Sequence, residues 1–296
     1  MRPSPVSPGR PPRPGRSYLA GAPLLVAHRG GAGLAPENTL QAFHLAVERW
    51  RADMLELDVR LSRDGEVVVI HDATVDRTTD GTGAVAELRW EELRTLDAGA
   101  RFRDPQGRPG FRGSGVTLPR FEEVLLAFPH VRLNVEAKEP AVAGPLVEIV
   151  RRHGAEERVL VAAERDASRR SVRDYPGPWG ASRRHVGLFW LLRRLPGGGR
   201  YVPGVDILQV PERWRGLRVV SPGFVRDAHA RNLPVQVWTV DDPDAMRRLL
   251  SWGVDGIQTD RPDLLARVLH EETGRPLPPG LLGGAASGPP ARDGER

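Results

Sequence analysis

The chain has 296 residues, of which 40% are apolar, enough for one large barrel or two smaller domains with packed cores. It contains no cysteine, which excludes disulfide bonds and thiolate-bound metal, so any metal ion must be held by oxygen or imidazole. The net charge of +5 is concentrated outside the body of the chain, because residues 1–20 carry four arginines and no acid, whereas residues 271–296 have a net charge of −1. The remaining residues therefore have a net charge of only +2, no aromatic stripe interleaves their arginines, and we expect no nucleic-acid partner.

The two ends of the chain differ in composition from the rest. Residues 1–20 are rich in arginine and proline, and residues 271–296 are rich in proline and glycine. We interpret both as disordered segments that flank one folded domain at residues 21–270. The first segment has no apolar stretch of the kind that directs export, and no run in the chain is long enough to span a bilayer. We therefore expect a cytoplasmic protein.

Short apolar strands alternate with helical segments between these ends. The strand-like runs are 24–29, 53–59, 131–137, 158–163, 184–189, 205–210, 234–240 and 255–259. Helical periodicity is clearest in residues 39–51, 119–128, 141–153, 221–231 and 242–252. Eight strands alternating with helices over roughly 250 residues predict an α/β fold of the TIM (β/α)8 barrel type. A doubly wound open sheet is the main competitor, but the first strand-to-helix loop lacks the G-x-G-x-x-G pattern.

A hairpin interrupts this alternation after the second strand. Asp64-Gly65 lies between two strand patterns, and this dipeptide is a strong signal for a two-residue turn. With these turn residues, Asp58 on the outgoing strand faces His71 on the returning strand. Residues 72–118 follow with little periodicity, and we interpret them as a small insertion over the mouth of the barrel.

Three of the predicted strands carry polar residues at every second position, although buried parallel strands are normally apolar throughout. The residues on these faces are Glu56, Asp58 and Arg60 in one strand, Asn134, Glu136 and Lys138 in another, and Gln236 and Trp238 in a third. The carboxyl ends of barrel strands form the active-site face. We therefore expect Glu56, Asp58 and Glu136 to meet there.

Carboxylates gathered in one place repel one another, and either protonation or a cation relieves the repulsion. Oxygen-only ligation suits Mg²⁺ or Ca²⁺, so we predict a divalent metal ion held by Glu56, Asp58 and Glu136. The alternative is that Glu56 and Asp58 merely pair with Arg60 and other arginines on a solvated strand. That alternative leaves the polar residues at the other strand ends unexplained.

Two histidines and two cations accompany the acidic residues. His28 ends the first strand, and the hairpin register pairs His71 with Asp58. Two imidazoles beside a metal ion can act as general base and general acid. Arg29 and Lys138 are donors that could clamp an anion such as phosphate. Lys138 is the only lysine among 43 basic residues, which marks a position where a planar guanidinium does not replace a compact ammonium.

Three further residues are candidates for supporting positions, namely Glu37, Asn38 and Gln236, and Trp238 is a candidate for contact with the substrate. Asn38 or Thr39 suits the N-cap of the first helix, and we favour Asn38. Glu37 either orients a catalytic group or stabilises the N-terminus of that helix. Gln236 and Trp238 share one strand face, and we interpret Trp238 as the floor of a substrate pocket with Gln236 beside it; the alternative for Trp238 is packing alone.

Six sequence motifs together resemble the glycerophosphodiester phosphodiesterase family. In chain order they are AHRGGAGLAPENT, ELDVRLSRDGEVVVIHD, DRTTDGTG, NVEAK, VWTVDD and GVDGIQTDRP, and the resemblance runs from about Leu24 to Leu265. It implies a TIM barrel with a small insertion after the hairpin, and metal-dependent hydrolysis of glycerophosphodiesters to an alcohol and glycerol 3-phosphate. Position by position, the resemblance implies that His28 and His71 are the acid–base pair. It implies that Glu56, Asp58 and Glu136 are metal ligands, and that Arg29 and Lys138 bind the phosphate.

Two alternative functions remain open at this point. One is a related phosphodiesterase on the same barrel, such as a lysophospholipase D or a phosphoinositide-cleaving lyase. The other is a non-catalytic basic protein that binds nucleic acid or anionic lipid through the arginines of residues 1–20. The second alternative explains none of the polar residues at the strand ends.

Overall fold

The computed structural model describes residues 18–163, 166–170, 172–195 and 201–282. The β-strands are β1 (Leu24–Ala27), β2 (Met54–Leu61), β3 (Val67–Val69), β4 (Arg132–Ala137), β5 (Val159–Ala162), β6 (Leu208–Pro211), β7 (Arg213–Trp214), β8 (Leu217–Arg218), β9 (Val235–Trp238) and β10 (Gly256–Thr259). The α-helices are α1 (Leu40–His44), α2 (Trp90–Leu93), α3 (Phe121–Ala127), α4 (Pro140–Arg152), α5 (Asp166–Arg170), α6 (Arg183–Leu192), α7 (Pro222–His229), α8 (Pro243–Ser251), α9 (Pro262–Thr273) and α10 (Pro279–Leu282). A π-helical turn, Leu45–Arg49, continues α1, and 3-10 turns lie at His28–Gly30 and Val85–Glu87.

Seven parallel strands form one sheet in the order β5-β4-β2-β1-β10-β9-β6. A short extended segment joins its two edges: Trp179 bridges Val161 of β5, and Gly180 bridges Ile207 next to β6. Both bridges are parallel, and Gly180 N–H donates to the Val161 carbonyl at 3.0 Å. The sheet therefore closes with eight parallel positions, and the predicted TIM barrel is confirmed.

One predicted strand is wrong. Residues 184–189 lie in α6, and the Trp179-Gly180 segment takes the barrel position that they were expected to fill. The N-cap Ser182 starts α6, because its side chain accepts a hydrogen bond from His185 N–H. A short apolar run fits a strand and a buried helix equally well, so periodicity alone does not separate the two. The other seven predicted strands and all five predicted helices are present, with ends shifted by a few residues.

The β2–β3 hairpin forms, but its predicted register is wrong by one residue. The turn has three residues, 63–65, and its last residue, Gly65, has a positive φ of 87°. As a result the Asp58 carbonyl accepts a hydrogen bond from Ile70 N–H at 2.9 Å, and the pairing ends before His71. A three-residue loop with glycine in the left-handed region adds one residue that the Asp-Gly signal does not reveal.

The side chains that point into the barrel change from apolar to polar along the strands. The apolar set at the amino-terminal ends consists of Leu24, Val26, Met54, Leu160 and Ile207. Tyr18 closes this end, and its hydroxyl donates to the Leu133 carbonyl at 3.0 Å. Because successive side chains of a strand alternate between two faces, the residues that follow Met54 on the inward face of β2 are Glu56 and Asp58. The polar residues therefore lie inside the barrel toward the carboxyl ends of its strands.

Residues 72–118 have a small apolar core of their own. It is built from two residues of the hairpin and five of the segment and its end, namely Val68, Ile70, Val75, Val85, Leu93, Ala98 and Leu118. The only α-helix among residues 72–118, all of which are described, is the single turn α2. This core anchors the segment to the β2–β3 hairpin, and its placement over the barrel mouth stays a prediction.

The ends of the chain are ordered further than expected. Residues 1–17 and 283–296 lie outside the described residues, but Tyr18 is buried and α9 continues to Thr273. Arg275 forms an ion pair with Asp53 at 2.6 Å. Residues 271–282 therefore belong to the fold, in contrast to the disordered tail predicted from residue 271. Among the helices that the structure describes, none has both the length and the apolar character that a bilayer crossing requires.

Candidate active site

The first residues of the site follow β1 directly. His28–Gly30 form a tight 3-10 turn in which Arg29 has a φ of 50° and Gly30 a φ of 84°. A Cβ atom on Gly30 would lie only 2.8 Å from the Ala42 Cβ, so glycine lets α1 approach the turn closely. In this conformation the Arg29 backbone N–H donates to Glu56 Oε2 at 2.9 Å. Gly30 and Gly31, which follow His28 and Arg29, thus allow a tight turn in which the Arg29 backbone N–H points toward β2.

Glu56, Asp58 and Glu136 come together as predicted. Each contributes one carboxylate oxygen to a group whose atoms all lie within 4.8 Å of one another. They meet because β2 and β4 pair in parallel with Asp58 opposite Glu136. The residues Glu56 and Asp58 are only 4% and 1% exposed. Three oxygen donors at this spacing fit a hard divalent cation such as Mg²⁺ or Ca²⁺.

The carboxylates differ in their protonation equilibria because their surroundings differ. Burial and the neighbouring Asp58 raise the pKa of Glu56 from 4.5 to about 7, although His28 acts in the opposite direction. Burial would also raise the pKa of Asp58, but Lys138 and Arg29 hold it below its ordinary value. The positive charge of Lys138 and Arg29 is therefore what keeps the Asp58 carboxylate ionised.

Lys138 and Arg29 supply positive charge from two sides of the cluster. Lys138 Nζ lies 3.1 Å from Asp58 Oδ1 and 3.2 Å from Glu136 Oε2, and Arg29 Nε lies 3.2 Å from Asp58 Oδ2. Burial lowers the pKa of both cations, but the carboxylates outweigh it and raise each pKa above its ordinary value. Arg29 Nε is buried against Asp58 without the geometry of a hydrogen bond to any described acceptor, so this contact is mainly one between opposite charges.

Each of the two histidines has its Nδ1 atom against a carboxylate oxygen. His28 Nδ1 lies 2.6 Å from Asp260 Oδ1, and His71 Nδ1 lies 2.6 Å from Asp72 Oδ1. Because an ionised carboxylate only accepts hydrogen bonds, Nδ1 carries the proton and Nε2 is left to exchange one. His28 Nε2 lies 3.9 Å from Glu56 Oε2. Burial lowers the pKa of His28, but Glu56 and the hydrogen bond to Asp260 raise it to about 9.

His71 reaches the cluster by a different route from the one predicted. The hairpin register places Ile70 opposite Asp58, and the chain then leaves the strand. Arg60 Nε donates to the His71 carbonyl at 2.8 Å, which holds the histidine backbone beside β2. His71 lies close enough to Asp58 to help lower its pKa. The predicted proximity of His71 and Asp58 is therefore present, whereas the predicted strand pairing is not.

Asn38 supports the site and does not cap the helix. Thr39 is the N-cap of α1, since its side chain accepts a hydrogen bond from Ala42 N–H at 3.2 Å. Asn38 has a φ of 58° and is 1% exposed. Its Nδ2 donates to Asp58 Oδ2 at 3.0 Å, and its Oδ1 accepts from the Asp58 backbone N–H at 3.2 Å. Of the two candidates for the cap, the favoured one was wrong.

Glu37 orients a cationic group, and its partners include a residue that sequence reasoning missed. Glu37 Oε1 accepts from Arg29 Nη1 at 2.9 Å, and both carboxylate oxygens accept from Arg77. Asp72 and Asp260, which hold the two histidines, were also missed. All three missed residues lie inside the quoted motifs, where a single Asp or Arg has no spacing that identifies its partner.

Gln236 and Trp238 share the inward face of β9 but lie in different surroundings. Trp238 ends the strand and is 37% exposed at the carboxyl-terminal rim of the barrel, where a ligand can contact it. Gln236 is completely buried, and its Oε1 accepts hydrogen bonds from Gln209 at 3.2 Å and from Gln258 at 3.5 Å. Gln236 therefore lies in a buried layer of amides inside the barrel, and its supporting role stays a prediction.

Comparisons with known proteins agree with this geometry. The sequence model of the "Glycerophosphoryl diester phosphodiesterase family" matches residues 28–172 and 200–264. The chain is 34% identical to the "Probable glycerophosphodiester phosphodiesterase 2" of Mycobacterium tuberculosis over 84% of this chain and 91% of that protein. It is 33% identical to a glycerophosphodiester phosphodiesterase of Caldanaerobacter subterraneus over 84% of this chain and 98% of that protein. The crystal structure of an Agrobacterium tumefaciens glycerophosphodiester phosphodiesterase is similar with a TM-score of 0.67 and 29% identity, over 82% of this chain and 99% of that one.

We expect Asn38→Asp to lower the free energy of unfolding by about 1.5–3 kcal/mol, because it replaces a donor to the Asp58 carboxylate by an acceptor of the same shape. Asn232→Asp is the matched control, since Asn232 also has a positive φ, 55°, but lies outside the site. Urea unfolding of both variants in the presence of a chelator measures the difference. An equal loss in both variants would show that the bonds between Asn38 and Asp58 contribute nothing.

Proposed function

The chain belongs to the glycerophosphoryl diester phosphodiesterase family, and we propose that it hydrolyses glycerophosphodiesters with the help of a divalent cation and two histidines. Glycerophosphodiester phosphodiesterase activity follows from the family match and from the relatives of the same name. The products are an alcohol and sn-glycerol 3-phosphate. The observation that carries the proposed chemistry is the group of three carboxylate oxygens within 4.8 Å inside the barrel, with cations and histidines around it.

The proposed cation is Mg²⁺ or Ca²⁺, held by Glu56, Asp58 and Glu136. Carboxylate oxygens are the donors that these hard ions prefer, and two of the three side chains are already oriented by other residues. The Arg29 backbone N–H donates to Glu56, and Asn38 donates to Asp58. When bound, the ion supplies Lewis-acid polarisation of a phosphoryl oxygen.

Arg29 and Lys138 bind the phosphodiester beside these carboxylates. Both cations contact Asp58 and are largely buried, so their positive charge acts in surroundings that screen it poorly. Negative charge grows on the phosphoryl oxygens as phosphorus becomes five-coordinate, and cations already in place stabilise that state more than the ground state. Trp238, exposed at the same rim, contacts the remainder of the substrate.

His28 and His71 transfer the two protons of the reaction. One imidazole takes the proton of the nucleophile, which is either water or the glycerol hydroxyl of the substrate. Attack by water gives glycerol 3-phosphate directly, whereas attack by the hydroxyl gives a transient cyclic phosphate that water then opens to glycerol 3-phosphate. The other gives a proton to the departing alkoxide as the bond between phosphorus and the alcohol oxygen breaks. Asp260 and Asp72 hold the Nδ1 atoms of these rings, so the proton is exchanged at Nε2 in both cases.

We expect the purified protein to release glycerol 3-phosphate from glycerophosphocholine and related diesters, to lose this activity with a chelator, and to recover it with Mg²⁺ or Ca²⁺. A coupled glycerol-3-phosphate dehydrogenase assay measures the product. Two other results would contradict the proposed substrate class: release of choline from lysophosphatidylcholine, or formation of a cyclic inositol phosphate, in either case without glycerol 3-phosphate. Undiminished activity in the chelator would remove the cation from the mechanism.

We expect Glu136→Gln to raise the divalent-ion concentration for half-maximal activity by at least about tenfold, because a neutral amide replaces one of three anionic donors. Glu48→Gln, at an exposed glutamate on the π-helical turn, is the matched control. Calorimetric titration with the ion gives the same comparison without substrate. Unchanged ion affinity in Glu136→Gln would show that the proposed ligand set is wrong.

We expect His71→Ala to keep ion affinity and fold close to those of the wild type while kcat falls by about two orders of magnitude or more, since the variant loses a proton-transfer group. His130→Ala, at an exposed histidine, is the control. Single-turnover hydrolysis, ion titration and thermal unfolding are measured together. Retention of most of the wild-type kcat would exclude His71 from proton transfer.

A further inference from the structure

Arg77, in the segment that follows the hairpin, connects two parts of the site that are distant in sequence. Its guanidinium contacts Glu37 through two hydrogen bonds, Nη1 to Oε2 at 2.8 Å and Nη2 to Oε1 at 2.7 Å. Its Nε donates to Asp72 Oδ2 at 2.5 Å. All three nitrogen atoms of the guanidinium therefore donate hydrogen bonds, and both acceptor groups are carboxylates.

Each of these carboxylates in turn contacts one residue of the proposed mechanism. Asp72 presents its other oxygen, Oδ1, to His71 Nδ1 at 2.6 Å. Glu37 Oε1 accepts from Arg29 Nη1 at 2.9 Å. The guanidinium of Arg77 is thus one side chain away from a proton-transfer group and one side chain away from a phosphate-binding group.

The contacts hold two ionised carboxylates in place. Burial would raise the pKa of Asp72, but the Arg77 hydrogen bond and His71 lower it to about 2. Burial would likewise raise the pKa of Glu37, yet Arg77 and Arg29 hold it below its ordinary value. An ionised Asp72 accepts a hydrogen bond from His71 Nδ1 and so fixes the tautomer of that ring, and an ionised Glu37 accepts a hydrogen bond from Arg29 Nη1.

The segment around Arg77 is built to present it. Val75 is completely buried in the small apolar core, and its N–H donates to the Gly83 carbonyl at 3.0 Å. Thr79 is also completely buried, and its hydroxyl donates to the Val75 carbonyl at 2.8 Å. Residues on both sides of Arg77 are therefore anchored, while the Arg77 side chain itself is 48% exposed.

We propose that Arg77 is a positioning residue which sets the orientation of His71 through Asp72 and of Arg29 through Glu37. This inference rests on the proposed function, in which His71 transfers a proton and Arg29 binds the phosphodiester. Because the Arg77 side chain is half exposed, its ion pairs add little to stability. The consequence of losing Arg77 is therefore expected in catalysis and not in unfolding.

The test compares Arg77→Gln and Arg77→Lys with Arg112→Gln, using the full chain with its cation and glycerophosphocholine. Arg112 lies in the same segment and, among the residues that the structure describes, donates only to the Ala100 carbonyl. We expect Arg77→Gln to lower kcat/KM by about 10- to 100-fold, as outer partners of catalytic groups commonly do, with thermal unfolding and ion affinity unchanged. Arg77→Lys should recover part of the loss, because it keeps the charge but not the fork. Arg112→Gln should match the wild type.

Double-variant comparisons separate the two routes, because groups that act through one another are not additive. In the Asp72→Asn background the route to His71 is already lost, so adding Arg77→Gln should leave kcat unchanged but still raise KM. In the Glu37→Gln background the route to Arg29 is already lost, so adding Arg77→Gln should leave KM unchanged but still lower kcat.

Wild-type kcat/KM in Arg77→Gln would overturn the inference, and so would full additivity in both backgrounds. Equal losses of activity and stability in Arg77→Gln and Arg112→Gln would overturn it too, because they would show a general loosening of the segment. If the wild-type chain itself released no glycerol 3-phosphate, the proposed function would fail first, which is a separate result.

Discussion

The site depends on one electrostatic constraint, the gathering of three carboxylates in a volume from which water is largely excluded. Glu56, Asp58 and Glu136 bring their oxygens within 4.8 Å of one another, and two of these residues are almost completely buried. Like charges at this separation are unfavourable unless positive charge lies beside them. The chain supplies part of that charge through Arg29 and Lys138, and a divalent cation supplies the rest in the proposed enzyme.

The composition of the chain shows how specific this compensation is. Of the 43 lysine and arginine residues, 42 are arginine and one is Lys138, whose ammonium lies between Asp58 on β2 and Glu136 on β4. An ammonium is a point charge that contacts oxygens 3.1 and 3.2 Å away on two adjacent strands. A guanidinium is wider, planar and suited to both oxygens of one carboxylate. The geometry between neighbouring barrel strands therefore explains why lysine suits this position better than arginine.

Sequence reasoning succeeded where a repeated pattern reflects a geometric rule. Polar residues at every second position indicated that Glu56 and Asp58 point into the barrel, and the carboxyl-end rule for barrels indicated that Glu136 joins them. It failed where several local structures share one pattern. Residues 184–189 fit both a strand and a helix, and the length of the hairpin turn at 63–65 decided a register that the Asp-Gly pair left ambiguous.

Sequence patterns could not predict the contacts that orient the proposed catalytic groups, because each contact depends on one bond between distant residues. Asp260 lies 232 positions from His28, and only the parallel pairing of β1 with β10 brings their strand ends together. Arg77 meets Glu37 because the small apolar core fixes the segment against the hairpin. Periodicity reports which face a residue occupies, whereas these bonds depend on where strands end and how a loop packs. The face that a residue occupies can be read from the local sequence, whereas the long-range bonds form only when the barrel closes.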